Sequence, residues 1–168
     1  MTRPGRPSSI LVDAGRVLAL DPGERRIGVA VSDPTGTISS PLTVLDARAG
    51  DLADRLRALC DEWDVATIVV GLPVGLNGRE GPAAAAARRL GAVAADATGR
   101  QVEMLDERYT TRMAEAALVE GNVRRRERRG KIDMVAAAVL LQGYLDARRQ
   151  RMRTSEEEDG SDGDRDRP

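Results

Sequence analysis

Three carboxylates sit where an apolar segment would ordinarily tolerate no charge. Asp21 ends the run Val17-Leu18-Ala19-Leu20, Glu107 follows Val102-Glu103-Met104-Leu105-Asp106, and Asp133 opens the long apolar stretch from Met134 to Leu141. Removing an acid from water is costly unless it is paired or binds a metal. Acids drawn from two strands and a helix therefore constrain the fold strongly: the chain must bring them to one polar site. That pattern points to a divalent metal ion.

Composition narrows the chemistry further. At 168 residues and 41% hydrophobic, the chain is long enough for one domain with a real core. No apolar run approaches the ~20 residues of a membrane span. The N-terminus, Met1-Thr2-Arg3-Pro4-Gly5-Arg6-Pro7-Ser8-Ser9, has no apolar segment of the signal-peptide kind, so a cytoplasmic location and no membrane partner are expected. There is no histidine, which removes histidine-dependent triads, zinc sites and general bases. Cys60 is the one cysteine, which removes internal disulfides and multi-cysteine metal clusters. Carboxylates with magnesium or manganese fit what is left. Two ions held by such a cluster can activate water and stabilise the leaving oxygen of a phosphodiester, which is nuclease chemistry.

Charge is unevenly placed. From Ser155 onward seven acids stand against two arginines, a net of −5, so the overall −1 leaves +4 on the rest of the chain. A basic body with an acidic tail is compatible with a polyanionic partner, and equally with a soluble body and a solvating tail.

Hydrophobic patterning predicts residues 1–15 as a flexible leader, strands over Arg16–Asp21 and Ile27–Asp33 close enough for a hairpin, and a shorter strand from Ile38 to Leu45. The first strand is apolar on both faces and so is expected at the centre. Leu52, Leu56, Leu59 and Trp63 share one helical face from about Asp51. A fourth strand at Ala66–Val70, an alanine-rich helix at Ala83–Ala97 and a fifth strand at Gln101–Asp106 follow. Thr110 caps a helix to about Glu120, Gly121–Lys131 is a basic loop, and Ile132 to about Arg149 is the last helix, expected to be buried all round. The result is a single α/β domain over 16–150 with a mixed sheet, followed by a disordered acidic tail over 151–168.

Each candidate also has a bland reading. Asp21-Pro22-Gly23 is a good turn starter, but the turn lies at the C-terminal end of a central strand, where α/β ligand sites form. Only one of Asp106 and Glu107 should face Asp21, because adjacent strand residues point to opposite faces, and the sequence leaves open which. Asp133 would suit a helix start, yet it shares a face with Ala137, Leu140 and Tyr144. The segment Arg124-Arg125-Arg126-Glu127-Arg128-Arg129-Gly130-Lys131 holds six basic residues immediately before Asp133, where phosphate contact favours a nucleic-acid partner over a merely solvated loop. Aromatic residues are 2%, too few for a stacking platform. Trp63 and Cys60 read as core, and Tyr109 as one residue able to stack on a base.

The motifs together resemble a known family. Asp21-Pro22-Gly23-Glu24-Arg25-Arg26-Ile27-Gly28-Val29-Ala30-Val31-Ser32-Asp33 is similar to the first motif of the YqgF, or RuvX, family. Val69-Val70-Gly71-Leu72-Pro73 with Asn77-Gly78 resembles the second, Asp106-Glu107-Arg108-Tyr109-Thr110-Thr111 the third, and Ile132-Asp133 with Ala136-Ala137 and Leu140–Leu145 the last. The resemblance implies a ribonuclease H-like fold, a mixed five-stranded sheet with helices on both faces. It also implies Asp21, Glu107 and Asp133 as catalytic metal-holding residues, magnesium or manganese as the ion, and hydrolysis leaving 5′-phosphate ends. The family's suggested substrates are the 5′ end of precursor small-subunit ribosomal RNA and four-way DNA junctions. Junction resolution needs two active sites and hence a homodimer. The leader and tail depart from the pattern, as does Met134, where a small polar residue is expected. An actin-like phosphotransferase shares the related fold but needs two such domains, and a non-catalytic nucleic-acid-binding module would not require all three acids.

Overall fold

The computed structural model describes residues 15–75, 77–107 and 125–159, with backbone alone at 125–128 and 156–159. The leader through residue 14, Tyr109, the helix expected from Thr110, Arg124 and residues 160–168 lie outside the described residues.

Five strands form one mixed sheet. They are β1 (Arg16–Pro22), β2 (Arg26–Ser32), β3 (Ser39–Asp46), β4 (Val65–Leu72) and β5 (Gln101–Asp106), in spatial order β3-β2-β1-β4-β5. β1 pairs antiparallel with β2 and parallel with β4; β2 pairs antiparallel with β3, and β4 parallel with β5. The apolar β1 is thus the central strand, as its sequence requires: Val17 to Leu20 have no exposed surface.

The pleat sorts β1 between two cores. Leu18 and Leu20 pack with Ile68 and Val70 under helices α1 (Leu52–Glu62) and α2 (Pro82–Thr98). Val17 and Ala19 point the other way, and with Ala30 and Val69 they meet helix α3 (Arg125–Asp159). Helices therefore cover both faces. α1 buries Leu56 and Cys60 completely, while Trp63 lies at its C-terminal end, partly buried, with the Arg16 guanidinium 5.5 Å from its ring centroid. α2 begins at Pro82 and stops at Gly99, whose left-handed φ of 67° lets its N–H close onto Ala95 O.

α3 corrects three expectations. It begins at Arg125, so Arg125–Lys131 is helical and not loop. Charge was the ground for a loop, but arginine, glutamate and lysine are good helix formers and continue a helix already anchored downstream. It also runs through residue 150 to Asp159, so the boundary drawn there between domain and tail is no break in secondary structure. Finally, it is not buried all round. Ala137, Leu140, Leu141, Tyr144 and Leu145 form the sheet-facing stripe, whereas Ile132 is 40% exposed and Arg149 is exposed.

Gly28 governs how closely α3 lies on the sheet. A Cβ built there would fall 2.0 Å from the Asp133 carbonyl oxygen, so helix backbone rests directly on strand backbone. Gly28→Ala is expected to force α3 outward and to cost about 1–3 kcal/mol, as overpacking does. Gly50→Ala, with nothing within 4 Å, is expected to stay within about 0.5 kcal/mol. Urea denaturation of both variants checks this.

Candidate active site

On the face of the sheet turned to α3, acids gather beyond the apolar part of β1. Along β1 the residues facing α3 are Val17 and Ala19, and Asp21 is the next in that alternation. Asp21 pairs with Gly28 across the β1–β2 ladder, and Gly28 lies under the Asp133 backbone. On β4 the same alternation runs from Val69 to Gly71. Glu107 follows β5 directly, and its Oε1 occupies the space that a side chain on Gly71 would take, 2.7 Å from a Cβ built there. Two glycines in strand interiors thus clear room, one for the helix that bears Asp133 and one for the Glu107 carboxyl.

Asp21 and Glu107 meet in a hydrogen bond. This settles which of the adjacent acids reaches Asp21: it is Glu107. Burial is the first cause that pushes the Glu107 carboxyl up to about 7, with the negative charge of Asp21 next and its hydrogen bond and Asp106 adding to it. Asp21 is also raised, first by burial; the bond from Glu107 opposes this and the charge of Asp133 adds to it. Below about pH 7 the pair therefore favours holding one proton, on Glu107, donated to the Asp21 carboxylate.

Asp133 stands within electrostatic reach of Asp21 but is engaged elsewhere. Arg26 Nε donates to its Oδ2 at 2.8 Å. The two side chains are 40% and 32% exposed, so water screens the ion pair and its net worth is about 0–1 kcal/mol. Among the described residues no three acids are gathered as a ready metal cage. The structure thus joins Asp21 to Glu107 and brings Asp133 near them with its carboxylate turned to Arg26. On the same face, Tyr144 Oη donates to Glu103 Oε1 at 3.0 Å, and burial followed by that carboxylate pushes the phenol up to about 12.

Of the basic residues singled out in the sequence, Arg129 and Lys131 are exposed on α3 before Asp133. Arg125, Arg126 and Arg128 lie in the first turns of α3, where only backbone is described, and Arg124 lies outside the described residues. Sequence reasoning missed Arg26 as the partner of Asp133, and Gly28 and Gly71 as the spacers of the site. Glycine inside an otherwise β-branched apolar strand was the available signal for the last two, because it marks close backbone approach.

A mixed sheet of this order, covered by helices on both faces, is the ribonuclease H-like fold. RuvC from Thermus thermophilus in complex with a Holliday junction substrate has the same fold, with a TM-score of 0.51 at 18% identity over 79% of this chain and 96% of that one. The particular family is shown by sequence. The model described as "RuvX: Holliday junction resolvase" matches residues 15–147, and the chain belongs to the RuvX family. Among its relatives is a protein of Lactococcus lactis subsp. cremoris, 44% identical over 135 residues, 79% of this chain and 94% of its own length. Another, from Anaeromyxobacter sp., is 46% identical over 135 residues, 79% of this chain and 98% of its own. Both carry the name "Putative pre-16S rRNA nuclease".

The Glu107 shift has a consequence for stability. A carboxyl raised on folding from an ordinary 4.5 to about 7 contributes stability that is fully present below pH 4.5 and lost as pH rises through about 7. In metal-free protein the melting temperature is expected to fall across that window. Glu107→Gln is expected to flatten the fall, as read by circular dichroism melts in chelator.

Proposed function

We propose that this chain is a divalent-metal-dependent nuclease that matures the 5′ end of precursor 16S ribosomal RNA in the cytoplasm. In this reading Asp21, Glu107 and Asp133 are its catalytic carboxylates. The observation that carries the reading is the Asp21–Glu107 pair, two acids kept together on the α3 face with a third beside them. Such a set is unfavourable by itself, since each charge raises its neighbour's affinity for protons. Its donors are all carboxylate oxygens, the ligands hard cations take, so magnesium or manganese fits. When bound there, the ion supplies Lewis acidity to the scissile phosphate and lowers the pKa of water.

The protein's own groups do the rest. Gly71 leaves Glu107 free to turn toward Asp21, and the proton shared by that pair must leave before both oxygens can serve as ligands. Arg26 holds Asp133 in place and is weakly enough bound to release it to a cation. Phosphate contacts of the nucleic acid are assigned to Arg124, Arg125, Arg126, Arg128, Arg129 and Lys131, the basic run that precedes Asp133 in the sequence. Ribosomal RNA is favoured by the names of relatives that align over nearly their whole length. The description of the family model supports a second reading, resolution of four-way DNA junctions by a homodimer with one site per subunit. The described residues include no helix long and apolar enough to cross a membrane.

Cleavage of a labelled 5′-extended 16S precursor and of a four-way DNA junction tests both. Activity is expected with magnesium or manganese, none with chelator, and a loss of at least about 100-fold in folded Asp21→Asn, more than loss of a mere supporting partner costs. Cutting that persists in chelator, or in Asp21→Asn, would refute the proposal.

A further inference from the structure

Beside the carboxylates, on the β2–β3 side, lies a shallow open groove of about 650 Å³. Arg25, Arg26, Arg48 and Arg55 line it, with Asp46 as the one acid. The charges in it are unevenly compensated. Arg26 is paired with Asp133 and Arg55 with Asp51. Arg25 and Arg48 are exposed, and among the described residues neither has an ion-pair partner. Among the described residues Asp46 forms no ion pair with either; its Oδ1 accepts the backbone N–H of Arg48 at 2.8 Å and closes its own turn. The backbone is fixed as well: Ala47 N donates to Arg25 O at 2.9 Å, tying the β1–β2 turn to the end of β3 and setting the two arginines on one wall.

We infer that this groove is a phosphate-binding track that holds the backbone of the nucleic-acid strand on the β2–β3 flank of the carboxylates, through Arg25 and Arg48. The inference rests on the nuclease reading and assigns a contact surface separate from the basic start of α3. Guanidinium forks match phosphate oxygens in bidentate fashion, and two unpaired ones cost no broken ion pair on binding. Arg26 belongs both to the groove and to the Asp133 pair, so the track leads directly to the acids. Among the described residues no aromatic side chain lines the groove, so it offers no platform on which bases stack.

The experiment measures binding of a fluorescein-labelled RNA spanning the mature 5′ end of 16S rRNA, by anisotropy over a potassium chloride series. The Asp21→Asn background is used so that nothing is cut. Each phosphate contact contributes roughly 0.7 to 0.9 to the slope of log affinity against log salt. Arg25→Ala with Arg48→Ala is expected to weaken binding and make the slope shallower by about 1.4 to 1.8, with Arg25→Lys and Arg48→Lys restoring it. The same loss of charge at Arg57 and Arg88, outside the groove, is expected to leave the slope unchanged. An unchanged slope in the folded Arg25/Arg48 variant overturns the inference, as does an equal fall in the Arg57/Arg88 variant. Wild-type protein that binds through the groove but cuts neither RNA nor junction would instead remove the nuclease reading and leave the groove standing.

Discussion

The contact of α3 with β2 at Gly28 is the constraint on which the site depends. Helices ordinarily stand off a sheet by the length of the side chains between them. Here a missing side chain lets the Asp133 carbonyl approach strand backbone directly. That close approach places Asp133 one strand away from Asp21, since Asp21 and Gly28 are partners in the ladder. The small residues Ala19, Ala30 and Ala137 continue the same packing along the helix, while Leu140, Leu141, Tyr144 and Leu145 anchor it farther on. A bulkier β2 would keep the fold and move the acid.

The same face shows how a protein stores unfavourable charge without a large loss of stability. Glu107 keeps a proton and gives its hydrogen bond to Asp21, and Asp133 leans on a half-exposed arginine. The ion pair is weak because water screens it, and the acid–carboxylate bond lasts only while its proton stays. Burial of the apolar strands under α1, α2 and α3 supplies the stability. In the proposed reading the shared proton and the screened ion pair both give way when a cation binds.

Much of this was legible in the sequence. Asp21 at the end of a doubly apolar strand required a central position, and β1 is central. The spacing of Ala137, Leu140 and Tyr144 put them on one helical face, and all three lie in the stripe of α3 that meets the sheet. Local signals erred where charge was taken to mean loop: the arginines from Arg125 onward are helical, because propensity and continuity with a packed helix outweigh solvation. The complete burial expected of α3 also failed, since a helix against one sheet face needs only one apolar stripe.

Local patterning was enough for the mixed sheet, its central strand and the inventory of acids, because these follow from short-range periodicity and from the cost of burying charge. Long-range packing is what brings Glu107 to Asp21, Arg26 to Asp133, and Arg25 and Arg48 into one groove. Each of these depends on the register between strands or on the distance of a helix from a sheet. Such distances are set by side chains far apart in the chain, and no local pattern records them.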